Sequence, residues 1–475
     1  MSDTQPSERK VTFGEVFGVG EYRALFGSSQ LSWVGDYMVK AAIMALVFAE
    51  TGSVALSAAA FALSYAPWLV GGPFLSALAE RYRYRQVMIA CDLLRAAVVI
   101  AMALATLPLP ITMLLVFCVA LLGPPGQAAR SAALPLVLPG ERVVLGIAIN
   151  QSAGQATQVI GYLAGATVSI VDPRGALLVT SAAFLLSALI LRVGLRDRPP
   201  SMQAEHRSHL LRETAEGFKL VFGTPALRTI AVLVFVSMLF TIVPEGLAIG
   251  WASELAQGDA TRQGFYQGFI MVANPLGYAI GVLLFARLLM PTLRRRLVPL
   301  LAVLGPLTLV PAVANPQILP VVVLVLISGI ALAGMSPTLN GMFVQILPNG
   351  FRARAFGVMQ SGMQTIQGAA ILGAGLLVGL VGDDRLPQVV GFWSLAGVLI
   401  IGTLALRWPK PAFFADAIAR NEAANAAAEA APGTDQAADA DGQPVTGGPG
   451  GPPLPRPAAA EPGGTVTADA GTMER

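Results

Sequence analysis

The sequence is poor in the residues that carry most enzyme chemistry and most covalent cross-links. Its 475 residues include 2 cysteines and 2 histidines. Cys91 and Cys118 lie inside apolar runs, and His206 and His209 share one polar segment, so neither a disulfide framework nor a metal-ligand spacing is present. The sequence also lacks an H-E-x-x-H motif, a phosphate-binding loop and a convincing nucleophile–base set. We therefore expect no enzyme, no metal and no cofactor.

Charged residues are scarce as well. They make up 12% of the chain, whereas 55% is hydrophobic and the mean hydropathy is +0.66; ordinary soluble domains are about 25% charged. Nearly uncharged runs of roughly 18 residues or more recur, and a helix of that length crosses a bilayer. Lipid offers no hydrogen-bond partners, so a spanning segment must pair its own backbone groups, as a helix does. A transmembrane barrel is excluded because its strands alternate apolar and polar residues, whereas these runs are continuously apolar. The sequence predicts an all-α integral membrane protein with twelve spans, near 24–49, 55–78, 86–106, 110–137, 143–171, 174–195, 227–252, 264–289, 297–314, 317–346, 353–381 and 388–407.

Lysine and arginine are concentrated in alternate loops. The opposite loops carry only Arg174, Arg262 and Arg385, each with an acid close by. Basic loops stay in the cytoplasm, so we expect a cell-membrane protein with both termini on that side. The polar N-terminus has no apolar core typical of a cleaved signal peptide. The basic loops carry Arg81, Arg83, Arg85, Arg142, Arg196, Arg198, Arg207, Arg212, Lys219, Arg294, Arg295, Arg296, Arg352 and Arg354.

The longest internal loop divides the spans six and six. Apolar residues at helical spacing near its end predict an amphipathic helix on the inner leaflet. The last part of the chain is rich in alanine, proline, glycine and acids, which predicts a disordered tail. The predicted organisation is a cytoplasmic segment (1–23), a first half (24–195), a cytoplasmic loop (196–226), a second half (227–407) and a cytoplasmic tail (408–475).

One polar phrase occurs twice. Residues 151–158 read QSAGQATQ and residues 360–367 read QSGMQTIQ, and each follows a Leu-Pro pair at the same offset of 209 residues (360 − 151 and 348 − 139). A constant offset indicates two related halves. The glutamines at i, i+4 and i+7 share one helix face, and amides are costly against lipid. The two stripes therefore either line a central cavity or bond helices together; they are Gln151, Gln155, Gln158, Gln360, Gln364 and Gln367.

The same offset relates two membrane-embedded acids. Asp36 in the first span and Glu245 in the seventh are 209 residues apart (245 − 36). An ionisable group at membrane depth is a functional-site hypothesis by default. Two structural alternatives remain: Lys40 at i+4 neutralises Asp36, or Glu245, which follows Pro244, caps a helix break.

The fourth span contains Gly123-Pro124-Pro125-Gly126. Prolines remove amide donors, so a kink or unwound turn is predicted there. Arg130 follows about one turn later. It binds an anionic group, pairs with an acid, or extends to the membrane surface.

Three stretches carry a family resemblance. They are GGPFLSALAERYRYRQVMIACDLLRA (71–96), PGQAARSAALPLVLP (125–139) and LLRETAEGFKLVFGTPALR (210–228). They look like the loop between helices 2 and 3, the end of helix 4, and the segment that leads into helix 7 of the major facilitator superfamily. Within it, the chain resembles the enterobactin-exporter-like branch, which includes multidrug efflux pumps. The resemblance covers about 20–407 and implies two six-helix halves that rock about a central site.

The resemblance also implies a charged latch at the cytoplasmic gate. The chain departs from the family pattern, with Ser76 in place of glycine, Glu80 in place of aspartate and Tyr84 in place of arginine. Asp92 and Arg95, at i and i+3 on helix 3, either complete this latch or form a structural ion pair. The predicted gate residues are Glu80, Arg81, Arg85, Asp92 and Arg95.

The function expected from these features is proton-coupled efflux of amphipathic small molecules by alternating access, with cations as the substrates that the acids would attract. Asp36 or Glu245 would carry the proton, and the glutamines would contact the substrate. The antiporter signature of helix 5 is incomplete, because Tyr162 replaces its proline. A dedicated exporter of one siderophore-like or lipid-like compound and a non-transporting sensor are the alternatives. We expect a monomer in the bilayer, with a small-molecule substrate, the proton gradient as its energy source and no nucleic-acid partner.

Overall fold

The computed structural model describes residues 12–68, 82–138, 141–198, 210–348 and 351–430, and these residues form helices without a strand. Ten helices are long and apolar enough to cross a membrane, and Val54–Trp68 is a shorter apolar helix. The helices that correspond to the twelve predicted spans, numbered in chain order, are α1 (Gly20–Thr51), α2 (Val54–Leu63), α3 (Tyr84–Leu104), α4 (Leu109–Leu121 and Gly123–Val137), α5 (Glu141–Val171), α6 (Pro173–Gly194), α7 (Pro225–Thr241), α8 (Ala260–Leu288), α9 (Pro291–Leu307), α10 (Ile318–Ile346), α11 (Arg352–Val381) and α12 (Leu386–Leu406).

Each of the twelve predicted spans overlaps one of these helices, and residues 69–78 of the second span lie outside the described residues. Asp172 and Asp259 start α6 and α8 as N-caps, because their carboxylates accept hydrogen bonds from the first free backbone amides. Gly52 ends α1 in the left-handed conformation, with a φ of 64°. The predicted all-α membrane fold is confirmed.

Two spanning helices are interrupted where proline disturbs the backbone. Helix α4 breaks at Leu122, directly before the predicted Gly-Pro-Pro-Gly kink. Helix α7 ends at Thr241 and continues as two short helices, Val243–Gly246 and Ala248–Ala256. A proline lacks the amide that would continue the helical ladder, which explains why both breaks occur beside prolines. The second break sets Glu245 apart from the straight part of α7.

Small residues allow close helix contacts within and between the halves. A Cβ atom added at Gly277 on α8 would come within 2.0 Å of the Leu326 carbonyl oxygen on α10. On α5, Gly161 and Gly165 leave comparable room for Tyr37 and Met38 of α1. Helix association in lipid depends on such close packing, because lipid tails supply no hydrophobic driving force between helices.

The two halves share one apolar cluster, at the end of the bundle opposite the basic loops. It includes Met44 and Phe61 from the first half and Trp251, Met271 and Ile371 from the second. Two further clusters lie toward the basic loops. Among the described residues, one consists of first-half side chains only, and the other of second-half side chains with the two flanking helices. The described core therefore joins the halves at the end opposite the basic loops.

Two peripheral helices pack on the second half. The predicted amphipathic helix is Leu210–Gly223, and Leu220 and Val221 are buried in the second-half core while Glu216 pairs with Arg354 of α11 at 2.9 Å. Part of its apolar face therefore packs against protein, whereas Phe218 of the same face is exposed, and its place on the inner leaflet stays a prediction. The prediction of a tail that is disordered from residue 408 is wrong over Pro411–Ala430, which is helical. Phe414 anchors that helix in the same core at 4% exposure.

The tight contact between α8 and α10 yields a stability prediction. We expect Gly277→Ala to lower the unfolding midpoint in detergent, because the new methyl group overlaps backbone and overpacking costs about 1–3 kcal/mol. Gly341→Ala on α10 is the matched control, since a Cβ there meets nothing within 4 Å. The control is expected to match or slightly exceed wild type, because alanine favours a helix over glycine by about 1 kcal/mol. Equal midpoints for the two variants would contradict the contact.

Candidate functional site

A cluster of charged side chains is buried inside the first half. Asp92 on α3 is 1% exposed, and Arg130 on α4 is 6% exposed. The Arg130 Nη2 atom lies 3.0 Å from Asp92 Oδ2. Ser32 of α1 and Ser187 of α6 donate hydrogen bonds of 3.0 Å and 2.7 Å to the two oxygens of the same carboxylate. Asp92 is therefore bound from three neighbouring helices, as a buried charge must be if it is to stay charged.

Asp36 lies at the edge of this cluster. Arg95 Nη1 is 3.2 Å from Asp36 Oδ1 and 3.9 Å from Asp92 Oδ1, so one guanidinium bridges two acids. The Asp36 side chain is 32% exposed, whereas that of Arg95 is 3% exposed. In the structure Asp36 is thus paired with Arg95, and Lys40 points elsewhere. The arginine guanidinium presents several donors in a rigid planar fork, which suits it to bridge two carboxylates.

The second half has no charged counterpart at the equivalent positions. The residues 209 positions after Asp92, Arg95 and Arg130 are leucines (301 − 92, 304 − 95 and 339 − 130). Leu301, Leu304 and Leu339 belong to or pack against the apolar core of that half. The two halves therefore differ at these positions, which hold a charged cluster in the first half and apolar side chains in the second.

Glu245 is placed between the two halves. It is 2% exposed and lies in the short helix after the α7 break. Tyr162 of α5, from the other half, donates a hydrogen bond of 3.1 Å to Glu245 Oε2. Nearby, Gln267 of α8 donates a hydrogen bond of 3.1 Å to the Ala41 carbonyl of α1. Among the described residues, the carboxylate of Glu245 is thus bound by a hydroxyl across the interface and not by an amide at the helix break.

Lys40 faces aromatic rings. Its Nζ atom lies 4.2 Å from the centre of the Tyr65 ring on the chain segment that continues α2. Tyr37, one turn earlier on α1, packs edge-on against Tyr162 with the ring centres 5.0 Å apart. Lys40 and Glu245 are therefore parts of one continuous aromatic and ionisable site near the shared apolar cluster.

The glutamine stripes lie on two helices, α5 and α11, that each contact the opposite half. Helix α5 packs on α8, and α11 packs on α2. Gln151 and Gln360 are exposed, and the other four are half-buried. Within the described residues, only Gln367 has a side-chain hydrogen bond, a weak one of 3.7 Å to the Met238 sulfur. Helix bonding by the stripes therefore receives little support, and their partial exposure favours lining of a polar surface.

The predicted gate is only partly visible. Glu80 and Arg81 lie outside the described residues. Arg85 donates a hydrogen bond to the Arg192 carbonyl at the end of α6, within its own half. Asp92 and Arg95 belong to the buried cluster, where Arg130 and Asp36 are their partners. These contacts favour a structural ion-pair network for Asp92 and Arg95, and completion of a latch by the two residues stays a prediction.

Comparison with known proteins agrees with this architecture. Residues 25–258 match the Major Facilitator Superfamily family model. The nucleoside transporter NupG superposes with a TM-score of 0.62 at 14% identity, over 82% of this chain and 100% of that one. The chain has the major facilitator fold. A POT family transporter in complex with 5-aminolevulinic acid gives a TM-score of 0.63 at 14% identity, over 84% and 98%. The peptide transporter POT in complex with sulfate gives 0.62 at 15% identity, over 84% and 95%. The search of curated proteins finds no match.

The facilitator fold brings together residues that sequence reasoning missed. Ser32 and Ser187 have no signal in the sequence, because serine is common in spanning helices and their partner Asp92 is distant along the chain. In the sequence, Tyr162 stands out only as the residue in place of the signature proline. Its hydrogen bond to Glu245 could not be predicted, because the two residues belong to different halves and meet only where the halves pack together. In the described residues, no group of three or more His, Cys, Asp or Glu side chains is arranged to hold a metal ion.

The buried cluster yields a second stability prediction. We expect Asp92→Leu to destabilise the protein by about 3–5 kcal/mol, because Arg130 is left buried without its acid. The double variant Asp92→Leu/Arg130→Leu is expected to recover at least half of that loss, since leucines occupy the equivalent positions of the second half. Unfolding midpoints in detergent of the wild type, both single variants and the double variant form the thermodynamic cycle. A double variant no more stable than Asp92→Leu would contradict this.

Proposed function

We propose that the protein is a proton-coupled secondary transporter of amphipathic small molecules, and that Glu245 is its proton-carrying acid. The observation that carries the proposal is the hydrogen bond from Tyr162 to Glu245, which joins the two halves at a nearly inaccessible carboxyl group. Apolar surroundings penalise a charged carboxylate much more than a neutral carboxyl group, so the two forms of this side chain differ greatly in free energy. Its protonation is therefore linked to how the halves contact each other.

Glu245 suits this role better than Asp36. Asp36 is compensated by the Arg95 guanidinium inside one half, so its charge need not change when the halves move. Glu245 has its hydrogen-bond donor on the opposite half, so separating the halves at this end removes the donor and admits water. A rocking motion of the halves thus changes the surroundings of Glu245 and leaves those of Asp36 largely intact. The acid to which transport is coupled must be the one whose surroundings change between the two states.

The arrangement of apolar contacts supports alternating access. The described core joins the halves at the end opposite the basic loops. With basic loops in the cytoplasm, as their arginines indicate, the protein is closed toward the outside. Export is the direction that the sequence resemblance implies and forms part of this proposal. The nucleoside and peptide transporters that share the fold support a small organic solute as the class of substrate, at identities that say nothing more specific.

The proposal predicts the effect of neutralising each acid on flux. In inverted membrane vesicles, we expect gradient-dependent movement by the wild type of at least one of two amphipathic dyes, cationic ethidium or anionic carboxyfluorescein. Glu245→Gln is expected to lose that dependence while it retains gradient-independent exchange, because the amide still accepts from Tyr162 but carries no proton. Tyr162→Phe is expected to weaken coupling more mildly. Asp36→Asn is expected to reduce the stability of the protein and to leave coupling in place.

Glu254→Gln is the matched control for these measurements. Glu254 is also a glutamate near the break in α7, but it accepts a hydrogen bond of 2.9 Å from Asn315 within its own half. This variant should behave like wild type. Full gradient-driven flux by Glu245→Gln would show that the acid is structural. A wild type that moves no dye but moves one natural compound would identify a dedicated exporter, and a wild type that moves no solute would favour the sensor.

A further inference from the structure

Lys40 is a cation surrounded by aromatic rings. Its Nζ atom lies 4.2 Å, 5.5 Å and 5.8 Å from the ring centres of Tyr65, Tyr37 and Phe61. Among the described residues, no carboxylate oxygen is paired with it within salt-bridge distance, although Asp36 and Glu245 both act on it electrostatically. Lys40 is half-buried, so part of its surface is exposed. The faces of aromatic rings attract a cation, but they supply no anion, so the ammonium can still bind one.

The described acids near Lys40 have other partners, so none of them neutralises the lysine at close range. Asp92 is matched by Arg130, and Asp36 by Arg95, inside the first half. Glu245 is 2% exposed and has its hydrogen bond from Tyr162. Lys40 is therefore the ionisable group of this region that is both partly exposed and without a close counter-ion in the described part of the chain. A cationic solute would meet acids that are already paired or buried, and would be repelled by the lysine.

We propose that Lys40 is the counter-ion for an organic anion, and that the ring of Tyr37, which is half-buried, contacts the apolar body of that molecule. This inference rests on the proposed function and names its substrate class as an amphipathic anion, such as an aromatic carboxylate or sulfonate. The anionic oxygens bind the ammonium, while Phe61 and Tyr65, which are buried, hold the lysine side chain in place. The cation expected from the buried acids in the sequence is thus replaced by an anion.

Glu245 and the bound anion act on the same lysine. Tyr37 packs against Tyr162, which binds Glu245, so the two sites share one aromatic wall. A negative charge on Glu245 repels the bound anion and partly neutralises the positive potential of Lys40, which weakens binding of the anion. Removing that charge is therefore expected to strengthen binding of the anion, even where it abolishes coupling to the gradient.

The test is a binding measurement without a gradient. Purified protein in nanodiscs is titrated with carboxyfluorescein and with rhodamine 123, which share a xanthene core and differ in charge, and the dissociation constants are read from fluorescence polarisation. A small panel of aromatic carboxylates and sulfonates competes with the bound dye. We expect the wild type to bind the anionic probe more tightly than the cationic one.

The variants separate charge from packing. Lys40→Met keeps the length of the side chain and is expected to weaken carboxyfluorescein binding by about tenfold or more, a typical loss for a charge-assisted contact. Lys40→Arg is expected to stay within about threefold of wild type, because the charge remains. Tyr37→Leu, which leaves the charge of Lys40, is expected to weaken binding of the anion to an intermediate degree. Size-exclusion profiles show whether each variant is folded, and Lys40→Arg and Tyr37→Leu keep the test decisive if Lys40→Met is not.

Three outcomes would overturn the anion site. They are unchanged carboxyfluorescein binding in Lys40→Met, tighter binding of the cationic probe by wild type, and a wild type that binds no anion of the panel up to about 1 mM. Glu245→Gln separates this inference from the proposed function. If it binds the anion as tightly as wild type or more so and still couples to the gradient, the coupling proposal fails while the anion site stands. If it loses coupling and anion binding is independent of Lys40, the reverse holds.

Discussion

The cost of a charge away from water governs this structure. The chain is 12% charged, and several of those charges lie deep inside spanning helices. Each must find its partner within the protein, because lipid offers none. The first half meets this requirement with a cluster in which Arg95 bridges two acids and Asp92 also accepts from Arg130 and two serines. The positions of α1, α3, α4 and α6 relative to one another depend on these contacts.

The second half shows what the fold needs when that cluster is absent. Leucines occupy the equivalent positions and pack in an apolar core. Buried ion pairs can often be replaced by apolar side chains without loss of stability, so the charged cluster is not required for a six-helix half to form. In the first half, the cluster supplies Arg95 as the partner of Asp36, whose side chain is partly exposed. The two halves are thus alike in backbone and different in electrostatics.

The interface between the two halves contains the ionisable groups whose surroundings would change when the halves move. The described core connects the halves at one end, and the Tyr162–Glu245 and Gln267–Ala41 hydrogen bonds lie in that region. Close packing of glycines on α5 against α1 brings Tyr37 and Tyr162 together and so sets the aromatic wall beside Lys40. A change at the acid, the lysine or the wall therefore affects the other two. This connection is the physical basis of both proposals.

The sequence by itself determined the membrane class, the helical spans, the duplication and the candidate acids. These follow from local properties: apolar length, the period of polar residues along a helix, and a constant offset between similar phrases. It failed for the helix Pro411–Ala430, because burial of Phe414 against a distant core outweighs a composition typical of disorder. Only the tertiary structure decided the partners. Asp36 and Lys40 are near each other in sequence, yet Arg95 pairs with the acid and three rings surround the lysine. Tyr162 and Glu245, 83 residues apart, meet because the two halves pack together. Hydrogen bonds and ion pairs act over a few ångströms in space, so local pattern names the groups that need partners, and the fold alone selects which partners they find.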